Sequence, residues 1–127
     1  MIAFFPGKFM PPHLGHVTTI MSLYEKYDTI IIAITDESDV IISQEERSLI
    51  FQSVFNVLPK IEIITLQGML VEYKDPKKLP FFDVCISGNE KVIEKMKEFN
   101  RKVIKAPRSK GLGFSGTEIR SLLNKSI

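Results

Sequence analysis

Gly7-Lys8-Phe9-Met10-Pro11-Pro12-His13-Leu14-Gly15-His16 lies between an apolar run at residues 2–5 and an amphipathic pattern that starts near Leu14. The stretch therefore reads as a strand-to-helix turn holding two histidines, one lysine and two glycines. A helix N-terminus offers unpaired N–H groups and a partial positive charge, which suits a phosphate. Lys8, His13 and His16 add donors that can follow charge on a nucleoside triphosphate. Gly7 and Gly15 carry no side chain, so a base or ribose could approach the backbone; each reads equally well as a turn that needs unusual dihedrals. Two histidines three residues apart could also share a metal, but zinc sites take three or four ligands and no third stands nearby. No metal site built from side chains is expected.

The pattern on either side of the turn gives the fold class. Residues 2–5, 29–35, 61–66, 82–87 and 103–106 read as short strands, several of them apolar on both faces as buried parallel strands are. Helical patterns stand between them. The first runs from the turn to about Tyr27, with Val17, Ile20, Met21, Tyr24 and Tyr27 on its inner face. The second opens at Ser43 with Glu46 three residues on, a capping-box spacing, and its buried side reads as Ile50, Val54, Val57 and Leu58. The third follows Gly88-Asn89 and turns Val92, Ile93, Met96 and Phe99 inward. Strands alternating with helices predict a Rossmann-like α/β fold, a doubly wound sheet of about five parallel strands. Such sheets bind ligands beyond the carboxyl ends of the strands, where strand order reverses. Residues 67–80 fit no element and read as an insertion of the kind that carries specificity.

Size and charge narrow the function. A chain of 127 residues predicts one domain, spanning 1–127. The formal net charge is only +2, with a local basic excess at residues 101–110. That suits a small anionic substrate better than nucleic acid, which favours a stronger basic stripe with aromatics between the charges. The run at residues 2–5 is broken at once by Pro6, Gly7 and Lys8, unlike a secretory leader, and no apolar stretch is long enough for a bilayer. One cysteine, Cys85, stands inside an apolar run and reads as a small core residue. A cytoplasmic location is the expectation.

A second phosphate-friendly helix start closes the sequence. Ser115-Gly116-Thr117-Glu118-Ile119-Arg120 opens a helical pattern with Glu118 at capping-box spacing from Ser115. The N–H groups and hydroxyls of Ser115, Gly116 and Thr117 could hold another phosphate, with Arg120 one turn in on the same side. Alone, this stretch reads as a capped surface helix with an arginine. Together with the first turn it gives a small fold two such starts.

His13-Leu14-Gly15-His16 and Ser115-Gly116-Thr117-Glu118-Ile119-Arg120, in this order and at this separation, resemble the signatures of the nucleotidyltransferase superfamily of adenylyl- and cytidylyltransferases. Within it, the chain is most similar to the archaeal type of nicotinamide mononucleotide (NMN) adenylyltransferase. Gly7-Lys8-Phe9 stands where that family has Gly-Arg-Phe, Glu46-Arg47 matches its Gly-Glu-Arg, and Phe82-Asp83-Val84 matches its Phe-Asp-Val strand. The family carries a tryptophan near the nicotinamide pocket; this chain has none.

The resemblance implies transfer of a nucleoside monophosphate, AMP from ATP in preference to CMP from CTP, to a small phosphomonoester with NMN the leading acceptor. Pyrophosphate leaves, and Mg²⁺ accompanies the triphosphate. It also implies catalytic roles for His13, His16 and Lys8. Gly7, Phe9, Gly15, Ser115, Gly116, Thr117 and Arg120 would bind the nucleotide, and Arg47, Gly88, Asn89 and Arg108 the acceptor and its phosphate. Related enzymes are often homo-oligomers. The alternatives are a cytidylyltransferase acting on an alcohol phosphate and a non-catalytic nucleotide sensor on the same fold; a nucleic-acid or membrane partner is not expected.

Overall fold

The computed structural model describes residues 1–10, 12–36 and 42–106. The elements run β1 (Ile2–Gly7), α1 (Leu14–Leu23), β2 (Thr29–Ile34), α2 (Gln44–Phe55), β3 (Ile61–Thr65), β4 (Val84–Ser87), α3 (Glu90–Glu98) and β5 (Val103–Lys105). Single 3₁₀ turns stand at Leu70–Glu72 and Pro76–Lys78. The strands form one parallel sheet in the order β3-β2-β1-β4-β5. Strand order therefore reverses between β1 and β4, and the doubly wound sheet read from the sequence is present.

Period-two alternation divides the core between the two faces. Ala3, Phe5, Ile30, Ile32, Ile34, Val84 and Ile86 face one way, packed with Ile20 of α1 and Phe51 and Phe55 of α2. Phe4, Ile31, Ala33 and Cys85 face the other way, packed with Val92 and Met96 of α3 and with Leu70, Leu79 and Phe82. Residues 67–82 are therefore more than an insertion. They form the crossover from β3 to β4, and their apolar side chains cover the sheet where a helix would otherwise stand. Phe82 stacks on Phe4 at 4.6 Å, which ends its service as a strand residue and starts β4 at Val84. Cys85 is buried, and burial pushes its thiol up to about 12, so it is a core residue.

One proline shapes the sheet where order reverses. The carbonyl of Ile2 accepts from Asp83 and that of Gly7 accepts from Thr35. Even-numbered residues of β1 thus face β4, and odd-numbered ones face β2. The next rung toward β4 would need an N–H from Pro6, which has none. The β1–β4 pairing accordingly stops at Phe4 and Cys85, while β1–β2 runs on to Gly7 and Ile34 and β4–β5 to Ser87 and Lys105. The sheet opens at its carboxyl edge between β1 and β4.

Two helix faces differ from the sequence reading. In α1, Ile20 is buried but Met21 is 43% exposed, and the helix ends at Leu23 rather than near Tyr27. In α2 the buried side is Arg47, Phe51 and Phe55, while Ile50, Val54 and Val57 are exposed. Apolar residues surround α2, so periodicity alone cannot choose its face. The four-residue spacing of one arginine and two phenylalanines does, because these are its largest side chains. The N-cap is as read: Ser43 accepts from the Glu46 N–H at 3.1 Å. The expected last helix, with Ser115, Gly116, Thr117 and Arg120, and the loop residue Arg108 lie outside the described residues.

The choice of face is testable by urea unfolding. Phe51→Ala should cost about 3–5 kcal/mol. Val54→Ala should stay within about 0.5 kcal/mol, as exposed positions do. Equal costs would put the wrong face of α2 on the sheet.

Candidate active site

α1 starts with two histidines capping each other. The Gly15 N–H donates to Nδ1 of His13 at 3.0 Å, and the His13 N–H donates to Nδ1 of His16 at 3.0 Å. His13 holds extended backbone as N-cap, and its carbonyl accepts from the N–H groups of His16 and Val17. The usual capping box uses Ser or Thr and Glu; here imidazole nitrogens fill both roles. A nitrogen that accepts has a free lone pair, so each neutral ring must carry its proton on Nε2. Both histidines therefore offer an Nε2–H on the side of the ring away from the backbone.

The pair favours neutrality. The rings stack at 3.7 Å between centroids. Burial and then the neighbouring His13 push His16 down to about 3, and burial lowers His13. At neutral pH the site presents two uncharged donors. Gly15, expected at the nucleotide, is buried, and its N–H serves His13.

The loop before the histidines is held from behind. Arg47 is fully buried, and its Nη1 donates to the carbonyls of Lys8 at 2.5 Å and Thr35 at 3.0 Å. Its Nε donates to Ser43 at 3.3 Å. Arg47, expected at the acceptor phosphate, stands here as the wall under the loop, its guanidinium tying the end of β1 to β2 and α2. Gln44 acts similarly, its Nε2 bridging the last carbonyls of β2 and β3, Ile34 at 2.9 Å and Leu66 at 2.8 Å. Phe9 is only 5% exposed, with its ring edge-on to His16 at 4.8 Å. A Cβ on Gly7 would stand 2.8 Å from the Phe9 ring. Gly7 and Phe9, expected at the nucleotide, pack against each other, and Phe9 also against His16.

Lys8 is half-buried in the same loop. Gly88 and Asn89 leave β4 at the same sheet edge, across the opening from Gly7. Asn89 caps α3, its Oδ1 accepting from Lys91 at 2.9 Å, and its N–H donates to Ser87 Oγ at 3.1 Å. A Cβ on Gly88 would make only an ordinary contact with the Ala106 carbonyl, at 3.7 Å. Among the described residues, no three His, Cys, Asp or Glu side chains come together as a metal cluster, and no helix is long and apolar enough to cross a membrane. Gln44, Thr35 and Phe51 were not legible as supports of the site. For Phe51 the four-residue spacing from Arg47 was the available signal.

Comparison with known proteins adds the family. A nicotinamide-nucleotide adenylyltransferase of Sulfurisphaera tokodaii is 33% identical over 97% of this chain and 79% of its own length. The chain belongs to the nicotinamide-nucleotide adenylyltransferase family. A phosphopantetheine adenylyltransferase of Flavobacterium johnsoniae is 35% identical over 62% of this chain, which spans about half of that protein (53%). Among solved structures, a bifunctional NMN adenylyltransferase/ADP ribose pyrophosphatase from Francisella tularensis, complexed with AMP and a manganese ion, shares the fold. It has a TM-score of 0.72 and 22% identity, over 99% of this chain but 42% of its own. No family model matches the chain.

The neutral pair has a signature in stability. His16 has a folded pKa below its unfolded value of about 6.5. Its contribution is complete above about pH 6.5 and is lost as pH falls from there toward 3. Between pH 6.5 and 5, before carboxylates titrate, stability should fall by up to about 1.4 kcal/mol per pH unit from His16. The double variant His13→Asn/His16→Gln keeps residues that can cap and should be flat in that window. Urea midpoints measured across it check both.

Proposed function

We propose that this chain transfers the adenylyl group of ATP to the phosphate of NMN, releasing pyrophosphate. The mutually capped histidines carry the reading: two neutral Nε2–H donors, fixed in tautomer, beside the opening where strand order reverses. Membership of the adenylyltransferase family supports it.

The acceptor's phosphate oxygen attacks the α-phosphorus of ATP. The bond to the bridging oxygen breaks, and that oxygen leaves with pyrophosphate. An acceptor phosphate is already an anion near neutral pH, so the site needs no strong general base. It needs in-line positioning and donors for the charge that builds on the α-phosphate. His13 and His16 are those donors. Because they are uncharged, they draw no proton balance into the step. Lys8, Ser115, Thr117 and Arg120 take the pyrophosphate end, and Gly88, Asn89 and Arg108 the acceptor. Gly116 would give its N–H to the same phosphates.

Mg²⁺ fits as an ion carried by the triphosphate. The described residues supply no side-chain cluster for it, and Mg²⁺ keeps waters and phosphate oxygens as ligands. When bound it would neutralise triphosphate charge. The solved structure of the same fold that is complexed with AMP and a manganese ion supports use of a divalent ion.

Pyrophosphate release with Mg²⁺, crossing ATP and CTP against NMN, phosphopantetheine and glycerol phosphate, tests the reading. The expected result is release with ATP and NMN. Release only with ATP and phosphopantetheine would move the acceptor, and release only with CTP and glycerol phosphate would overturn the nucleotide as well. Binding of ATP without release over the whole panel would favour a sensor. His16→Ala should lower turnover at least about a hundredfold with the fold intact, the scale of one lost transition-state donor. Near-normal turnover would remove His16 from the chemistry.

A further inference from the structure

Phe9 adopts a left-handed backbone conformation, φ +49°, which residues with a side chain rarely take. Such a residue persists only where its surroundings hold it. Here the surroundings are aromatic. The Phe9 ring stands perpendicular to His16 at 4.8 Å and perpendicular to Phe51 at 4.8 Å, with Phe5 at 5.6 Å. Phe51 in turn stacks along Phe55 on α2 at 6.0 Å. Phe9 thus joins the core of the sheet to one imidazole.

His16 needs that contact. Its hydrogen bond from the His13 N–H passes through Nδ1 alone. One such bond selects the tautomer, and the stacked His13 ring limits swing of the imidazole on one side only. The Phe9 ring blocks the swing. Gly7 makes room for Phe9: a Cβ there would lie 2.8 Å from Cζ and 3.0 Å from both ε carbons. Real Cβ contacts do not come so close, and the ring is packed against His16 and Phe51, so it could not yield without shifting them.

We propose that Phe9 is the positioning residue for His16, and that position 7 is glycine in order to admit the Phe9 ring rather than a nucleotide. The kinetic part rests on the adenylyl-transfer reading above. Nothing in the proposal needs Phe9 or Gly7 to touch substrate. Both should therefore affect the chemical step more than binding.

A double-mutant cycle of Gly7→Ala and Phe9→Leu tests this. Leucine stays apolar, so the core keeps a hydrophobic side chain, but it lacks the ring atoms that meet a new Cβ. Each single variant should lower kcat about ten- to a hundredfold, the scale of a misplaced catalytic group, with KM for ATP within about twofold. Gly7→Ala should then cost no more than about twofold in the Phe9→Leu background. NMR of the unliganded protein gives a second reading that does not depend on the acceptor. Wild-type His16 ring resonances should show cross-relaxation with the stacked His13 ring, and in Phe9→Leu they should broaden and lose that contact as the imidazole swings, with the Nε2–H tautomer kept. A rise in KM for ATP on Gly7→Ala that persists in the Phe9→Leu background would overturn the proposal. So would a folded Phe9→Leu with unchanged kcat and unchanged His16 resonances. If the wild type released no pyrophosphate, the function reading would fall, and the His16 resonances would still decide whether Phe9 positions that ring.

Discussion

Two hydrogen bonds at the start of α1 set the geometry on which the proposed chemistry depends: Gly15 N–H to His13 and His13 N–H to His16. A helix start has backbone donors without partners, and a polar side chain usually supplies the acceptor. Using imidazoles for that task has two results. The helix is capped, and each histidine spends Nδ1 on the backbone. What remains for a ligand is a pair of Nε2–H groups whose tautomer is fixed by the fold. Burial, and for His16 the neighbouring His13, keep both rings uncharged, so in the proposed reaction they would meet an anion as directed donors rather than as fixed charge.

The surrounding structure serves that cap. Pro6 ends the β1–β4 ladder early and opens the sheet beside the turn. Arg47 holds the Lys8 carbonyl against β2 and α2 from a fully buried position. A buried charge is costly unless well bonded, and three carbonyls accept from Nη1 and Nε of this guanidinium while fixing the loop. Gln44 ties the ends of β2 and β3 by the same means. The carboxyl edge of the sheet is thus held by side chains bonded to backbone carbonyls, and the loops that leave it start from fixed points.

Much of this was legible in the sequence, for physical reasons. Strands buried on both faces give apolar runs that need no partner to be recognised, and the alternation with helices implied the parallel sheet. The turn at residues 7–16 was visible because glycine, proline and histidine cluster there. The face of α2 was not legible, because its apolar residues surround the helix, and counting them favoured Ile50, Val54 and Val57 over Phe51 and Phe55. The structural task of Arg47 was hidden for a related reason. An arginine beside a phosphate-binding turn reads as a phosphate ligand, and only the carbonyls brought to it by β1 and β2 reveal a buried latch. Gly7 and Phe9 belong to one packing unit that no local pattern announces. Residues 67–80 looked like an insertion because 3₁₀ turns lack the period that marks a helix. The Ser115–Arg120 motif and Arg108 lie outside the described residues, so their part rests on sequence.

The most direct measurement is the nitrogen NMR spectrum of the histidine side chains in the unliganded wild-type protein at pH 7. Both His13 and His16 should appear as neutral rings protonated at Nε2, with His16 unchanged down to pH 5. A proton on Nδ1 of either ring would contradict the mutual cap, and an imidazolium at His16 in that range would contradict the neutral donor pair on which the proposed chemistry rests.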